Sequence, residues 1–430
     1  MNEFLTLLSR QIATDARTLP NRVRARFSEG RVQRCGNIAE LRAAARRAVP
    51  KVMFDFVDGA ANDEVTSRRN REDFAELEIL PRVLVDVSAV DVRTTVLSQP
   101  VELPLLGAPM GLNGLIHHDG EAGIARAMHD VGTIHTLAAM ASYSIEEIAA
   151  EAPGPTWFQM YIWRDRGLVR ELVQRARAAG FLALVVTVDV PRAAGRDRDR
   201  HNGFGLPPRV TLRSLADGVV RPRWSAQFIR HPRMTTASIV GHGGGPDDPV
   251  GITAYVNGQF DPTADWDDLA WFRELWDGPL VVKGILGAGD ARRAVTLGAD
   301  ALIVSNHGGR QLDHAPSTIR ALPPIVDAVG SDAEVILDGG VRRGSDVLKA
   351  IALGARACMI GRPLVYGLGA GGETGVRRAV TILEQELRTA MALAGCPSLA
   401  AADRSLVSWR GSHPVPSAVQ ADYIHNTTRE

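Results

Sequence analysis

At 430 residues and 46.3 kDa the chain exceeds the usual length of one domain, a length that α/β barrels routinely reach. Hydrophobic residues make up 45% and charged residues 23%, and Lys plus Arg equals Asp plus Glu at 49 each, so nothing in the overall charge favours nucleic acid as a partner. Three widely separated cysteines, Cys35, Cys358 and Cys396, make neither a disulfide framework nor a metal spacing, and no apolar run is long enough to span a bilayer, which points to a protein of the reducing cytoplasm with no metal site.

Residues 1–36 mix Arg, Ser, Thr and Asn without a clean period and read as an N-terminal extension, partly helical. Asn37 opens a capped helix that runs toward Arg47 and stops before Pro50. The Phe-rich stretch Val52 to Val57 then leads into a small-residue turn, Asp58 to Glu64, and another helical stretch.

After Pro104 short apolar runs alternate with helical patterns, the signature of βαβ units. Eight candidate strands begin at Leu105, Thr133, Trp157, Ala183, Leu280, Ala301, Val335 and Ala357, with helical segments between them that end at Gly180, Gly298, Gly330, Gly354 and Gly395. Eight strands each followed by a helix predict an α/β fold, a (β/α)8 TIM barrel over residues 37–403, with a tail at 404–430; an open doubly wound sheet is the alternative. The rhythm breaks once, after the fourth strand, where an insertion at about 197–265 carries Leu206 to Arg209, a helix expected at Leu212 to Gly218, an Arg- and Trp-bearing stretch from Pro222 to Arg230 and a glycine run from His242 to Pro246. Its composition suits a membrane surface, a basic lid over the barrel mouth or a packing subdomain.

Chemistry in a barrel collects on the loops that leave the C-terminal ends of the strands. Those loops carry Pro109, Met110 and Gly111 after the first strand, Gln159 and Tyr161 after the third, and Thr187, Asp189 and Arg196 after the fourth. The fifth ends in Lys283, whose buried cation demands an electron-rich group or a neighbouring carboxylate. The sixth is followed by Ser305-Asn306-His307-Gly308-Gly309-Arg310-Gln311-Leu312-Asp313, which puts an imidazole three residues from a guanidinium. A proton acceptor beside a fixed cation suits a substrate that carries a carboxylate and loses a proton next to it. The seventh and eighth supply Asp338, Gly340, Arg342, Gly361 and Arg362, glycine amides and guanidiniums that suit a phosphate.

These motifs resemble, in order and spacing, the FMN-dependent 2-hydroxy acid oxidase and dehydrogenase family, which includes glycolate oxidase, quinone-linked L-lactate dehydrogenase and (S)-mandelate dehydrogenase. The resemblance runs from about Ile38 to Leu399 and is most specific at Ser305 to Asp313. It implies FMN as cofactor and oxidation of a small L-2-hydroxy acid to the 2-oxo acid. His307 would be the base and Asp189 the partner of its imidazolium. Arg310, helped by Arg196, would hold the substrate carboxylate, and Tyr161 would hydrogen-bond the substrate oxygen. Gln159, Thr187, Lys283 and Ser305 would contact the flavin and ribityl; Asp338, Arg342, Gly361 and Arg362 would hold ribityl and phosphate. A homotetramer, common in the family, is implied too.

Three departures from the family pattern bear on the substrate. Phe54 stands where a carboxylate-binding tyrosine is expected, Ala138 where a serine often contacts the flavin, and Met140 where an aromatic is common, so a more apolar pocket is expected. Gly111 and the Arg-rich insertion resemble the dehydrogenase members, which pass electrons to a quinone or another carrier, in some cases with peripheral membrane attachment on the cytoplasmic side. The alternatives are an oxidase that uses dioxygen, an FMN barrel acting on a 2-hydroxy or amino group of a natural product or modified peptide, and a non-catalytic flavin-binding protein.

Overall fold

The computed structural model describes residues 30, 32–204, 217–234, 236–239, 255 and 258–411. Leu206 to Arg209, most of the helix expected at Leu212 to Gly218, the glycine run His242 to Pro246 and nearly all of the N-terminal extension lie outside the described residues.

Eight parallel strands form one sheet that curls into a nearly closed (β/α)8 barrel. They are β1 (Leu105–Gly107), β2 (His135–Ala138), β3 (Thr156–Tyr161), β4 (Ala183–Thr187), β5 (Leu280–Ile285), β6 (Ala301–Val304), β7 (Glu334–Asp338) and β8 (Ala357–Ile360). Each pairs with its sequence neighbour from β2 to β8, and β8 returns to β1 through Cys358 opposite Leu105. The seam between β1 and β2 is closed by the Gly107 amide, which donates to Ile134 O at 2.9 Å.

Strand alternation decides what the barrel interior contains. Trp157, Ala183, Val185, Val281, Ala301, Ile303, Ile336 and Met359 point inward and pack as one cluster, closed at its base by Val96 and Val101 of a short hairpin. Continuing the same parity two residues up each strand gives Gln159, Thr187, Lys283, Ser305 and Asp338. All five are buried. The sequence therefore sets a polar layer on an apolar plug simply by changing residue type along one face.

Ahead of the barrel come α1 (Ile38–Ala48), α2 (Lys51–Asp58) and α3 (Val65–Ala75). Asn37 caps α1, its side chain accepting from Glu40 N, as its position in the sequence predicts. The barrel helices are α4 (Gly120–Asp130), α5 (Ile145–Glu151) and α6 (Arg166–Ala178), then α7 (Asp197–His201) and α8 (Pro222–Arg230) of the insertion, α9 (Trp266–Leu275), α10 (Ala288–Thr296), α11 (Thr318–Val329), α12 (Gly344–Ala352) and α13 (Arg362–Leu393). The capping box at Ser144 and Glu147 starts α5 as expected. The folded body extends past the expected boundary at 403: Val407–Trp409 pairs antiparallel with Leu77–Ile79, so these residues close the N-terminal segment onto the barrel instead of trailing as a tail.

One buried group outside the site sets a pH limit on the fold. His135 is buried in β2, neither ring nitrogen has a partner, and burial pushes its pKa from 6.5 down to about 3. The unfolded chain takes up this proton below about pH 6.5 while the folded chain refuses it until about pH 3, so stability present above 6.5 is lost on acidification. The loss is on the order of 4 kcal/mol by about pH 3.5. His135→Phe is expected to flatten urea midpoints across that window; an unchanged slope would refute the assignment.

Candidate active site

A cavity of about 400 Å³ opens at the C-terminal ends of the strands, lined by their loops and by Phe56 and Val57 of α2. His307 stands at its wall with a left-handed backbone, φ 58°, a conformation that costs energy for a non-glycine residue and marks functional sites. The amide of His307 donates to Ser305 Oγ at 3.0 Å, and its Nδ1 lies 3.0 Å from Asp189 Oδ1. With Nδ1–H directed at the carboxylate, the lone pair resides on Nε2, the nitrogen available to a proton donor. Burial by itself pushes the Asp189 carboxyl up, but the imidazole and the Lys283 ammonium hold it below the usual carboxylate range. Gly284, at φ 110°, makes this possible: a Cβ there would come 2.7 Å from Asp189 Cβ.

The motif's other polar residues turn out to be its scaffold. Asn306 and Asn70 exchange two amide hydrogen bonds of 2.8 Å, and Asn306 Oδ1 also accepts from Gly309 N. Asp313 accepts from the amides of Asp63, Val65 and Thr66, holding the start of α3 against the loop. Neither partnership has a local sequence signal, since each joins residues more than two hundred positions apart.

Four arginines line the cavity, Arg196, Arg310, Arg342 and Arg362. Arg310, part-buried, donates to Phe56 O at 2.7 Å and Gly59 O at 3.0 Å, and burial together with Arg196 and Arg362 holds its pKa well below the ordinary value. Arg196 sits 3.0 Å from Asp199, whose carboxyl burial pushes up. The guanidinium carbons of Arg196 and Arg310 each lie 5.2 Å from the centroid of Phe56, which stacks on Phe204 at 4.5 Å. So much positive charge with one carboxylate beside it favours an anionic ligand. Tyr161 also lines the cavity, and burial, followed by the Asp189 charge, pushes its phenol up and keeps it a protonated donor.

Phe54, assigned to the substrate pocket from the sequence, is not there. It is buried against Tyr366, ring centroids 6.2 Å apart, and the residue that lines the cavity is Phe56. Two positions along an α-helix turn the side chain by about 200°, to the opposite face. Met140 does line the cavity, as do Pro109, Met110 and Gly111.

Deeper in, Gln159 Nε2 donates to Thr187 Oγ1 at 2.9 Å, while Gln159 Oε1 is buried with no partner. Lys283, 3% exposed, donates to Ser305 Oγ at 2.9 Å and pairs with Asp338 at 2.9 Å, so the neighbouring carboxylate that its burial demanded is present. Arg342 is part-buried, its guanidinium donates to Val341 O at 2.7 Å and has no carboxylate partner among the described residues, so its charge is left for a ligand anion. A Cβ on Gly340 would fall 2.0 Å from Asn70 O. Arg362, expected beside Arg342, spends its guanidinium on Val57 O, Gly59 O and Gly308 O at 2.8–3.0 Å. An orphaned amide oxygen, a buried ammonium and a cavity-lining guanidinium without a carboxylate partner among the described residues fit a flavin mononucleotide, which offers ring donors, ring acceptors and a phosphate.

Glu121 of α4 joins two of the lining loops: its Oε1 accepts from Asn113 N at 2.9 Å and Ser142 N at 3.0 Å. Burial pushes its pKa to about 7, the opposite sense to His135, so the stability it contributes at low pH is lost as pH rises through 7.

Comparison with known proteins places this geometry. The profile of the FMN-dependent dehydrogenase family matches residues 45–409. Glycolate oxidase 5 of Oryza sativa subsp. japonica is 43% identical, over 86% of this chain and 95% of its own. L-lactate oxidase of Nostoc sp. is 44% identical, over 86% and 97%. The crystal structure of the monotopic membrane protein (S)-mandelate dehydrogenase superposes with a TM-score of 0.84 at 37% identity, covering 87% of this chain and 100% of that one. The chain is thus an enzyme of the FMN-dependent dehydrogenase family, with FMN as its cofactor.

Proposed function

We propose that this enzyme oxidises an L-2-hydroxy acid to the 2-oxo acid. The single observation that carries the reading is the His307–Asp189 pair at 3.0 Å beside the guanidiniums of Arg310 and Arg196, which line the same cavity. Arg310 and Arg196 bind the substrate carboxylate, and the hydroxy carbon is then held next to His307. Tyr161 donates to the substrate oxygen and orients it. His307 Nε2 takes a proton, and Asp189 stabilises the imidazolium that results. Bound FMN supplies the acceptor for the two electrons that the substrate loses. Pro109 to Gly111, Gln159, Thr187 and Lys283 would hold its ring, with Ser305 and Asp338 supporting Lys283; Gly340, Arg342, Gly361 and Arg362 would hold its phosphate.

Phe56, Phe204, Met140, Val190 and Phe260 make the substrate end apolar, which favours an aryl acid of mandelate type over glycolate. The test is anaerobic reduction of bound flavin across glycolate, lactate, phenyllactate and mandelate. Aryl acids are expected to bleach it at the lowest concentrations, and Phe56→Tyr, which adds a donor beside both guanidiniums, is expected to improve glycolate and lactate by about 10-fold. A flavin that no member of the panel reduces would sink the substrate class.

A quinone or another carrier is the electron acceptor we infer. A Cβ on Gly111 would lie 2.5 Å from Met140 O, so the alanine of oxidase-type members is excluded here unless the second loop shifts. Stoichiometric peroxide in turnover would favour dioxygen instead. Val219, Val220 and Ile229 are 71–78% exposed on and beside α8, which supports peripheral attachment on the cytoplasmic side of a membrane. No helix among the described residues is long and apolar enough to cross one. We also infer a homotetramer, with exposed Val83 and Leu84 as a subunit contact, and a reducing compartment that keeps Cys35, Cys358 and Cys396 as thiols.

A further inference from the structure

Outside the cavity, the loop between β1 and α4 carries His117, His118 and Asp119 in succession, and none of them lines the active site. Their ligand atoms lie within 4.8 Å of one another. His118 Nδ1 is 2.8 Å from Asp119 Oδ1, and His117 Nδ1 is 3.3 Å from Asp119 Oδ2. The second contact is unresolved by protons alone. The Asp119 amide also points at His117 Nδ1, at 3.2 Å. If that nitrogen accepts the amide proton, a lone pair faces Oδ2 with nothing between them; if it carries its own proton, the amide has no acceptor there. A cation held between that lone pair and Oδ2 replaces their repulsion with two attractive contacts.

A third imidazole is close. His231 follows α8 directly and meets the His118 ring edge-on, centroids 5.3 Å apart. Its approach is set from both sides. Trp224 of α8 donates to Leu115 O at 3.1 Å, and Arg233 pairs with Glu147 at 2.9 Å and lies over Tyr143, whose hydroxyl donates to His118 O. On the far side the site is walled by the kink of α13, where a Cβ on Gly372 would strike Asp119 Oδ2 at 2.5 Å and the His117 ring at 2.8 Å, and Glu373 N donates to Asp119 Oδ2 at 3.0 Å.

We propose that His117, His118, Asp119 and His231 bind one divalent cation of the zinc class, which fastens the insertion helix α8 to the first loop of the barrel. Three imidazoles and a carboxylate suit a tetrahedral zinc, whose ligands stand about 2.0–2.2 Å from the metal and so roughly 3.3 Å from each other. The 2.8 and 3.3 Å edges among His117, His118 and Asp119 are already near that spacing, and His231 turns in from its edge-on position against His118 to complete the set.

The test uses full-length holoenzyme without a histidine tag, stripped with chelator and titrated with Co2+ by visible absorption and with Zn2+ by calorimetry. One equivalent with tetrahedral-type cobalt absorption is expected. His118→Ala and Asp119→Asn should abolish it, and His231→Ala should weaken it at least 10-fold, all three keeping bound flavin that substrate still reduces. The site is overturned if no saturable equivalent binds, or if His118→Ala binds as wild type. Unchanged affinity in His231→Ala overturns the bridge to α8.

Discussion

Replacing His307 with alanine is expected to slow anaerobic flavin reduction by about 10²–10⁴-fold, the contribution of a positioned general base. The effect follows from geometry more than from basicity. Asp189 Oδ1 fixes the imidazole from behind at 3.0 Å, so Nε2 is the nitrogen left to meet a substrate held by Arg310. Removing the ring also strands Asp189, whose Oδ2 already has no partner, and leaves Lys283 as the cation that offsets its burial. Stopped-flow reduction at saturating substrate is the measurement, with flavin content as the control. A variant that holds FMN and is reduced at the wild-type rate would falsify the role given to His307.

Lys283→Met is expected to cost about 3–5 kcal/mol of stability, because it removes one member of a buried ion pair and keeps the other. Asp338 would retain only the Ser305 hydroxyl, which donates to it at 2.7 Å. Urea midpoints of the flavin-free protein measure this, since loss of FMN would otherwise add its own contribution. Combining Lys283→Met with Asp338→Asn should recover part of the loss, the coupling that contacting residues show. Midpoints that fall by the sum of the two single variants would show that the pair is not coupled, against what the 2.9 Å contact implies.

Much of this site was legible along the chain. Eight apolar runs followed by helices led to the barrel, and the polar residue at the end of each run led to Gln159, Tyr161, Thr187, Lys283, His307 and Asp338. The reading worked because strand parity is a local property, so a polar residue two beyond an inward apolar one faces the same space. It failed at α2. The aromatic that lines the cavity there is Phe56, and a helix separates positions 54 and 56 by more than half a turn, a distinction invisible until the helix is docked. It was silent on Phe204, in the insertion, which reaches the pocket because Arg198 of α7 binds Asp58 and Glu64 ahead of α3.

The sequence by itself determined the barrel, the order of its loops and the polar layer at the strand ends, all features written in residue type at short, regular spacing. Tertiary structure alone decided which of two phenylalanines lines the cavity, and that Asn306 and Asp313 anchor the loop after β6 to α3. It also decided that Arg362 ties α2 to Gly308 while Arg342 has no carboxylate partner among the described residues, and that His231 meets His118 from a distant segment. Each of these is a contact between residues whose sequence separation carries no information about distance, and burial, which selects the partner of every charged group, exists only once the chain has closed.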